Sequence, residues 1–182
     1  MIQAALALVR LKGPRGFTLN EASRTAGVSV SAPYNHFKDK DALLIEIVLL
    51  GNRTLEEELR QAASHGKSAS EQLLSVFLAY IHFARRHPDL FAVMFQSGID
   101  KTLYPEVGAT AAHAFGVADA LASQIESTPR KAQELSLGIW TMAHGFATLA
   151  SEKAIARVGG DETDATAKAL AMRLLSIVGP EG

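Results

Sequence analysis

Apolar residues recur at three- and four-residue spacings along almost the whole chain, and no stretch alternates apolar with polar residues as a half-buried strand does. This period restricts the chain to an all-α fold, since a helix with one apolar stripe must bury it against other helices. Ile2, Ala5, Leu6 and Val9 mark a first helix, which Gly13-Pro14 stops. Thr18-Leu19-Asn20-Glu21 has the form of a capping box, in which threonine and glutamate each satisfy a backbone N–H of the other's residue. The helix it opens is short, because Gly27 supplies a turn straight after Ala26. Ser29 is expected to cap a second short helix reaching His36 or Phe37. Asp39 is expected to cap a long one, to about residue 65, with Leu44, Ile47, Val48, Gly51 and Leu55 on one face.

Five more helices are expected beyond it, about nine in all. One spans 69–86, with Leu73, Leu74, Phe77, Leu78, Ile81 and Ala84 facing a core. Pro88 and Pro105 sit where a first helical residue loses nothing by lacking an N–H, and the second of these helices ends near Ser127. Thr128-Pro129 opens a long helix to about Val158, ended by Gly159-Gly160. The last carries Ala167, Leu170, Ala171, Leu174 and Val178 before Gly179-Pro180. Residues 66–68 and 98–102 read as loops. With 48% hydrophobic and 20% charged residues the chain has material for a packed core.

The absence of cysteine excludes disulfides and thiolate metal sites and agrees with a reducing compartment. His82, His87, His113 and His144 have no metal-ligand spacing, so neither a metal nor another cofactor is expected. The apolar start Met1–Val9 lacks a basic leader and runs into Arg10-Leu11-Lys12, unlike a signal peptide. No apolar run approaches the roughly 18 residues of a membrane span. A cytoplasmic protein without membrane contact is the expectation. Net charge is −1, but it is unevenly spread. Residues 1–45 hold six basic side chains (Arg10, Lys12, Arg15, Arg24, Lys38, Lys40) against Glu21, Asp39 and Asp41. A basic lobe on an otherwise acidic chain suits contact with phosphates.

Residues 18–37 therefore read as a helix-turn-helix, two short capped helices about a glycine turn, the second destined for the major groove. Ala22 and Ala26 allow close helix contact, and Val28 is expected to plug the core between the helices. Ser29, Ser31, Tyr34, Asn35 and His36 lie on the exposed face of the second helix. Val30 and Ala32 offer a base only apolar contact, to a thymine methyl, and the helix lacks a bidentate arginine or glutamine. Sequence readout must then rest on serine, Asn35, DNA shape, or Arg24 from the preceding helix.

The run Gly16-Phe17-Thr18, Ala26-Gly27-Val28-Ser29, Tyr34-Asn35-His36-Phe37-Lys38-Asp39-Lys40 and Leu43 resembles the DNA-binding domain of the TetR family, which pairs three helices with a long fourth. The resemblance implies that Tyr34, His36 and Lys40 hold phosphates, that Thr18 lies beside the DNA backbone, and that Ser29, Val30, Ser31, Ala32 and Pro33 form the base-facing start of the recognition helix. Family members usually carry a basic segment before the first helix. This sequence opens almost inside that helix, so weaker DNA binding is expected of a chain that starts here.

Within 129–158, Leu135, Ile139, Met142, Phe146 and Leu149 follow a 4-3-4-3 seam. Mid-helix glycine costs about 1 kcal/mol relative to alanine, so Gly138 and Gly145 suggest the close approach of another helix. Leu135, Gly138, Met142 and Gly145, with Leu170, Leu174 and Val178 of the last helix, are the expected homodimer interface. A pseudo-palindromic operator requires such a dimer. Trp140-Thr141-Met142-Ala143-His144-Gly145 resembles the tryptophan–histidine–glycine motif of the WHG type of TetR C-terminal domain. Phe77, Tyr80, Phe91, Met94, Phe95, Trp140 and His144 are candidates to line an apolar pocket for a small effector.

The expected organisation is thus a helix-turn-helix domain over 1–45 and a helical effector-binding and dimerisation domain over 46–182. The expected function is a ligand-responsive repressor that binds double-stranded operator DNA and is released by a small apolar or amphipathic effector. A helical module without DNA binding is the alternative. An enzyme using His144 is disfavoured, since no nucleophile or second acid accompanies it.

Overall fold

The structure, a computed structural model, describes residues 1–178. Among the described residues there are nine α-helices and no strand. They are α1 (Ile2–Lys12), α2 (Leu19–Thr25), α3 (Lys40–Ala63), α4 (Ala69–Arg86), α5 (Pro88–Gln96), α6 (Pro105–Ile125), α7 (Pro129–Ser151), α8 (Ala154–Arg157) and α9 (Asp164–Val178). Prolines at 88 and 129 occupy first-turn positions, and Thr128 caps α7 by accepting the Lys131 amide at 3.3 Å.

Packing divides the chain into two compact units. The first comprises Met1–Thr54 and His87–Ala111. In it α1 lies against α5, with Arg10 donating to Asp89 at 2.6 Å, and also against α2. Leu8, Phe17, Leu19, Leu43, Ile47 and Val93 are buried at its centre. Each such side chain contributes roughly 1.5–3 kcal/mol on leaving water. Asn52 is a buried polar group of α3; its amide donates to Thr110 Oγ1 at 2.9 Å, which removes the cost of an unpaired donor.

The second unit comprises Leu55–Arg86 and the described residues from Ala112 onward. Here α4, α7 and α9 pack on one another about Phe77, Ile81, Phe83, Leu135 and Ile139. Asp164, at the start of α9, accepts from His82 at 2.7 Å and Arg85 at 2.6 Å, tying that helix to α4.

Three expectations change here. The helix opened by Thr128 does not run to Val158: it stops at Ser151, and Lys153 adopts a left-handed conformation (φ 54°) before the short α8. The free N–H of Ala156 in α8 is then satisfied by the Glu162 carboxylate at 3.1 Å. The residues after Ser29 do not form a full α-helix. They make a 3₁₀ turn over Ala32–Asn35, because Pro33 cannot donate a hydrogen bond and restricts the residue before it. Ser29 accordingly caps nothing with its side chain, and the Ala32 amide binds the Ser29 carbonyl instead. Finally, Leu135, Ile139 and Phe146 of the seam turn into the core of their own unit.

Candidate nucleic-acid interface

The reading head begins at Thr18, whose hydroxyl accepts the Glu21 amide at 3.2 Å while the Glu21 carboxylate accepts the Thr18 amide at 2.8 Å. The capping box expected there is present in full. Lys12 donates to the same carboxylate at 2.6 Å, and this bond, with those from Thr18, holds Glu21 at about 2. The rigidly capped α2 ends at Gly27 (φ 71°), a conformation that costs a non-glycine residue about 1–2 kcal/mol. The Val28 amide closes the turn on the Ser23 carbonyl at 3.1 Å.

Past that turn the chain is open to solvent. Ser29, Ser31, Asn35 and His36 are exposed, and Tyr34 is 55% exposed with its ring outward from the core. The Ser29 and Ser31 hydroxyls lie 3.3 Å apart. Ala32 is half-buried. Arg24 is exposed, with Nε turned back to the Asn20 carbonyl at 3.4 Å. Two expectations for this segment are corrected. Pro33 is fully buried and faces no base; its ring, useless as a donor, fills the core under the 3₁₀ turn. Val28 does not plug the core, for Gly27 carries the chain outward and leaves it 42% exposed.

Lys40 opens α3, where Asp39 caps by accepting the Ala42 amide at 2.8 Å. Its ammonium donates to the Arg15 carbonyl at 3.0 Å and stands 4.6 Å over the Phe17 ring. Burial, opposed by Asp41 and reinforced by Arg15, lowers its pKa. Arg15 in turn donates to the Ser97 carbonyl at 3.0 Å. Arg15, Lys40, Ser97 and Gly98 thus border a cavity of about 260 Å³ within the first unit. Arg15 was not singled out by sequence reasoning; its position immediately before Gly16-Phe17-Thr18 was the available signal.

The candidate effector residues separate. Phe91, Met94 and Phe95 belong to the first unit, where the Phe91 and Phe95 rings pack at a tilt with centroids 4.8 Å apart and Met94 packs against Gly51. Phe77 is fully buried core of the second unit. Tyr80, Trp140 and His144 do come together there: the Tyr80 hydroxyl is 2.8 Å from His144 Nδ1, and the Trp140 and His144 rings are 6.0 Å apart. Burial pushes the Tyr80 phenol up, against the Trp140 hydrogen bond, and pushes the His144 imidazole down. Phe115, which sequence reasoning passed over, packs edge-on against Trp140 at 6.3 Å. A separate open groove of about 630 Å³ runs beside Arg60, His113, Gly116, Val117 and Leu121.

Of the candidate interface residues, Leu135 is buried in its own subunit. Gly138, Met142, Gly145 and Leu174 are half-buried and Leu170 is 40% exposed. Val178 closes α9, and its side chain lies outside the described residues. No group of three His, Asp or Glu is placed to hold a metal, and no helix is long and apolar enough to cross a membrane, among the described residues.

A capped helix, a glycine turn and an exposed second segment braced by a long helix define a helix-turn-helix DNA-binding regulator. Residues 1–47 match the family described as bacterial regulatory proteins, tetR family, and residues 73–174 match the tetracyclin repressor-like C-terminal domain. The chain belongs to the tetR family.

Solved structures share the fold. A protein of unknown function from Rhodococcus sp. RHA1 superposes with a TM-score of 0.84 at 23% identity, over 98% of this chain and 93% of that one. A tetR-family regulatory protein from Rhodococcus RHA1 gives 0.76 at 18% identity, over 100% and 96%. The regulator FadR from Bacillus subtilis, solved with stearoyl-CoA, gives 0.73 at 16% identity, over 98% and 95%. Comparison with curated proteins finds no match.

Proposed function

We propose that this protein is a ligand-responsive repressor that binds a pseudo-palindromic operator as a homodimer. The observation that carries the reading is the set of exposed side chains Ser29, Val30, Ser31, Tyr34, Asn35 and His36, presented by a glycine turn. Residues 1–45 act as the DNA-binding domain and 46–182 as the effector-binding and dimerisation domain. Tyr34, His36 and Lys40 contact phosphates, with Thr18 beside the backbone, and Ser29, Ser31, Ala32, Asn35 and Arg24 approach base edges. In this role Lys40 exchanges the Arg15 carbonyl for a phosphate oxygen, a stronger, charge-assisted partner.

Two copies associate through α7 and α9, using Gly138, Met142, Gly145, Leu170, Leu174 and Val178. The Trp140–Gly145 run is read as the WHG type of C-terminal domain. The effector is a small apolar or amphipathic molecule. The stearoyl-CoA held by FadR, a protein of the same fold, is in keeping with that class. Its binding near Trp140 and His144 displaces α3 and alters the spacing of the paired reading heads. For this the effector must bind the DNA-incompetent state more tightly, typically by 1–3 kcal/mol.

A gel shift with DNA from upstream of the coding region tests the reading. Salt-sensitive binding is expected, and Tyr34→Ala with Lys40→Ala is expected to weaken it by roughly tenfold or more. The variant should also lower the slope of log K against log salt by about 1 for the lost lysine contact. Absence of binding at low salt would sink the proposal.

A further inference from the structure

The tip of the reading head is unusual in what it lacks. Between Val28 and Tyr34 there is no arginine, lysine, asparagine or glutamine, so no side chain there forms the paired hydrogen bonds that identify guanine or adenine. The two hydroxyls present, on Ser29 and Ser31, lie 3.3 Å apart and partner one another. What the segment does expose is hydrocarbon: Val28 at 42% and Val30 at 45%. A single exposed valine needs no explanation. Here two exposed valines flank Ser29 directly after the Gly27 turn, so the start of the segment offers hydrocarbon where a base edge would be read.

Among the major-groove edges of the four base pairs, one apolar group is offered, the C5 methyl of thymine. An isopropyl group gains by leaving water only where it meets such a surface. We infer that Val30, assisted by Val28, selects operator half-sites by packing on thymine methyls. This inference rests on the DNA-binding reading above and specifies the base chemistry of that same surface. Asn35, exposed further along the segment, carries the amide type that pairs with adenine, so both groups favour A·T pairs in the half-site.

The test starts from a random pool of duplex oligonucleotides selected by the full chain at low salt. Each thymine common to the selected half-sites is then replaced by deoxyuridine, which removes the methyl and keeps the Watson–Crick edge. Binding is expected to weaken by about three- to fivefold at each methyl that Val30 covers, the size expected for one methylene-scale group returned to water. The same replacement should cost nothing in Val30→Ser, a change at an exposed position whose folding is checked by circular dichroism. If deoxyuridine weakens wild type and Val30→Ser equally, or if the selected sites share no thymine, Val30 does not read methyls although the protein still binds DNA. If no oligonucleotide is retained at any salt, the DNA-binding reading itself falls and this inference falls with it.

Discussion

Tyr80, His144 and Trp140 meet in the second unit, and the partial burial of His144 decides how this group responds to acid. The Trp140 indole donates to the Tyr80 oxygen, and the Tyr80 hydroxyl lies 2.8 Å from His144 Nδ1, the imidazole tautomer deciding which of those two groups donates. Burial lowers the His144 pKa from 6.5, so the folded chain binds its proton less readily than the unfolded chain does. Stability from this site is therefore complete above about pH 6.5 and declines as pH falls below it, until the lower folded value is passed. Melts between pH 8 and 5 should show a steeper acid-side loss for wild type than for His144→Asn, which keeps a neutral acceptor. Parallel profiles would remove His144 from the account.

At the scale of elements, helix ends carry the lesson. The capping box on α2 holds the reading head's first helix in register, and its Thr18 bonds are local. Thr18→Ala should cost about 1 kcal/mol in urea melts, within the usual range for loss of a cap; a neutral result would mean that packing of Leu19 and Ala22 alone fixes the helix. The opposite sign is expected at Lys153, which sits left-handed (φ 54°) between α7 and α8. Lys153→Gly should stabilise by roughly 1 kcal/mol, because glycine adopts that conformation without Cβ strain. A lowered melting temperature would show that the break is set by something other than the local backbone. These two ends also mark what was legible in the sequence. Starts written in Thr, Asp and Pro (Thr18, Asp39, Pro88, Pro105, Pro129) fall where the chemistry of free N–H groups puts them. The break at Lys153 has no glycine or proline to announce it, so periodicity ran through it. The seam Leu135-Ile139-Phe146 was legible as a seam, but a heptad period does not say whether the partner helix belongs to the same chain. At the reading head the residue types were legible, whereas the burial of Pro33, the exposure of Val28 and the Arg15 carbonyl on Lys40 depend on the angle at which the turn leaves Gly27.

For the whole molecule, the proposed homodimer needs a surface that joins two copies, since one reading head spans a single half-site. The glycines of α7 discriminate. Around Gly145, outside its own chain neighbours and helix backbone, no atom of the described residues lies within 4 Å of where a Cβ would stand, and at Gly138 the nearest such atom is Leu174 Cδ2 at an ordinary 3.5 Å. A single chain therefore has room for alanine at both positions, and each substitution should stabilise it by roughly 0.5–1 kcal/mol through helix propensity. Glycine at such sites is a cost that one copy alone does not repay. On the same two helices Leu137, Trp140, Leu170 and Met172 are 39–53% exposed, apolar area that association would cover. If a second copy packs across α7 and α9, added methyls at 138 and 145 hold the helices apart. The double variant Gly138→Ala, Gly145→Ala should then melt higher at low protein concentration while its dimer dissociates more readily in sedimentation equilibrium. Its DNA footprint should shrink to one half-site at concentrations where the wild type protects two. A variant that gains helix stability and dimerises as before would place the joint between copies elsewhere, and would leave the glycines of α7 to be explained by approach of a ligand to the backbone.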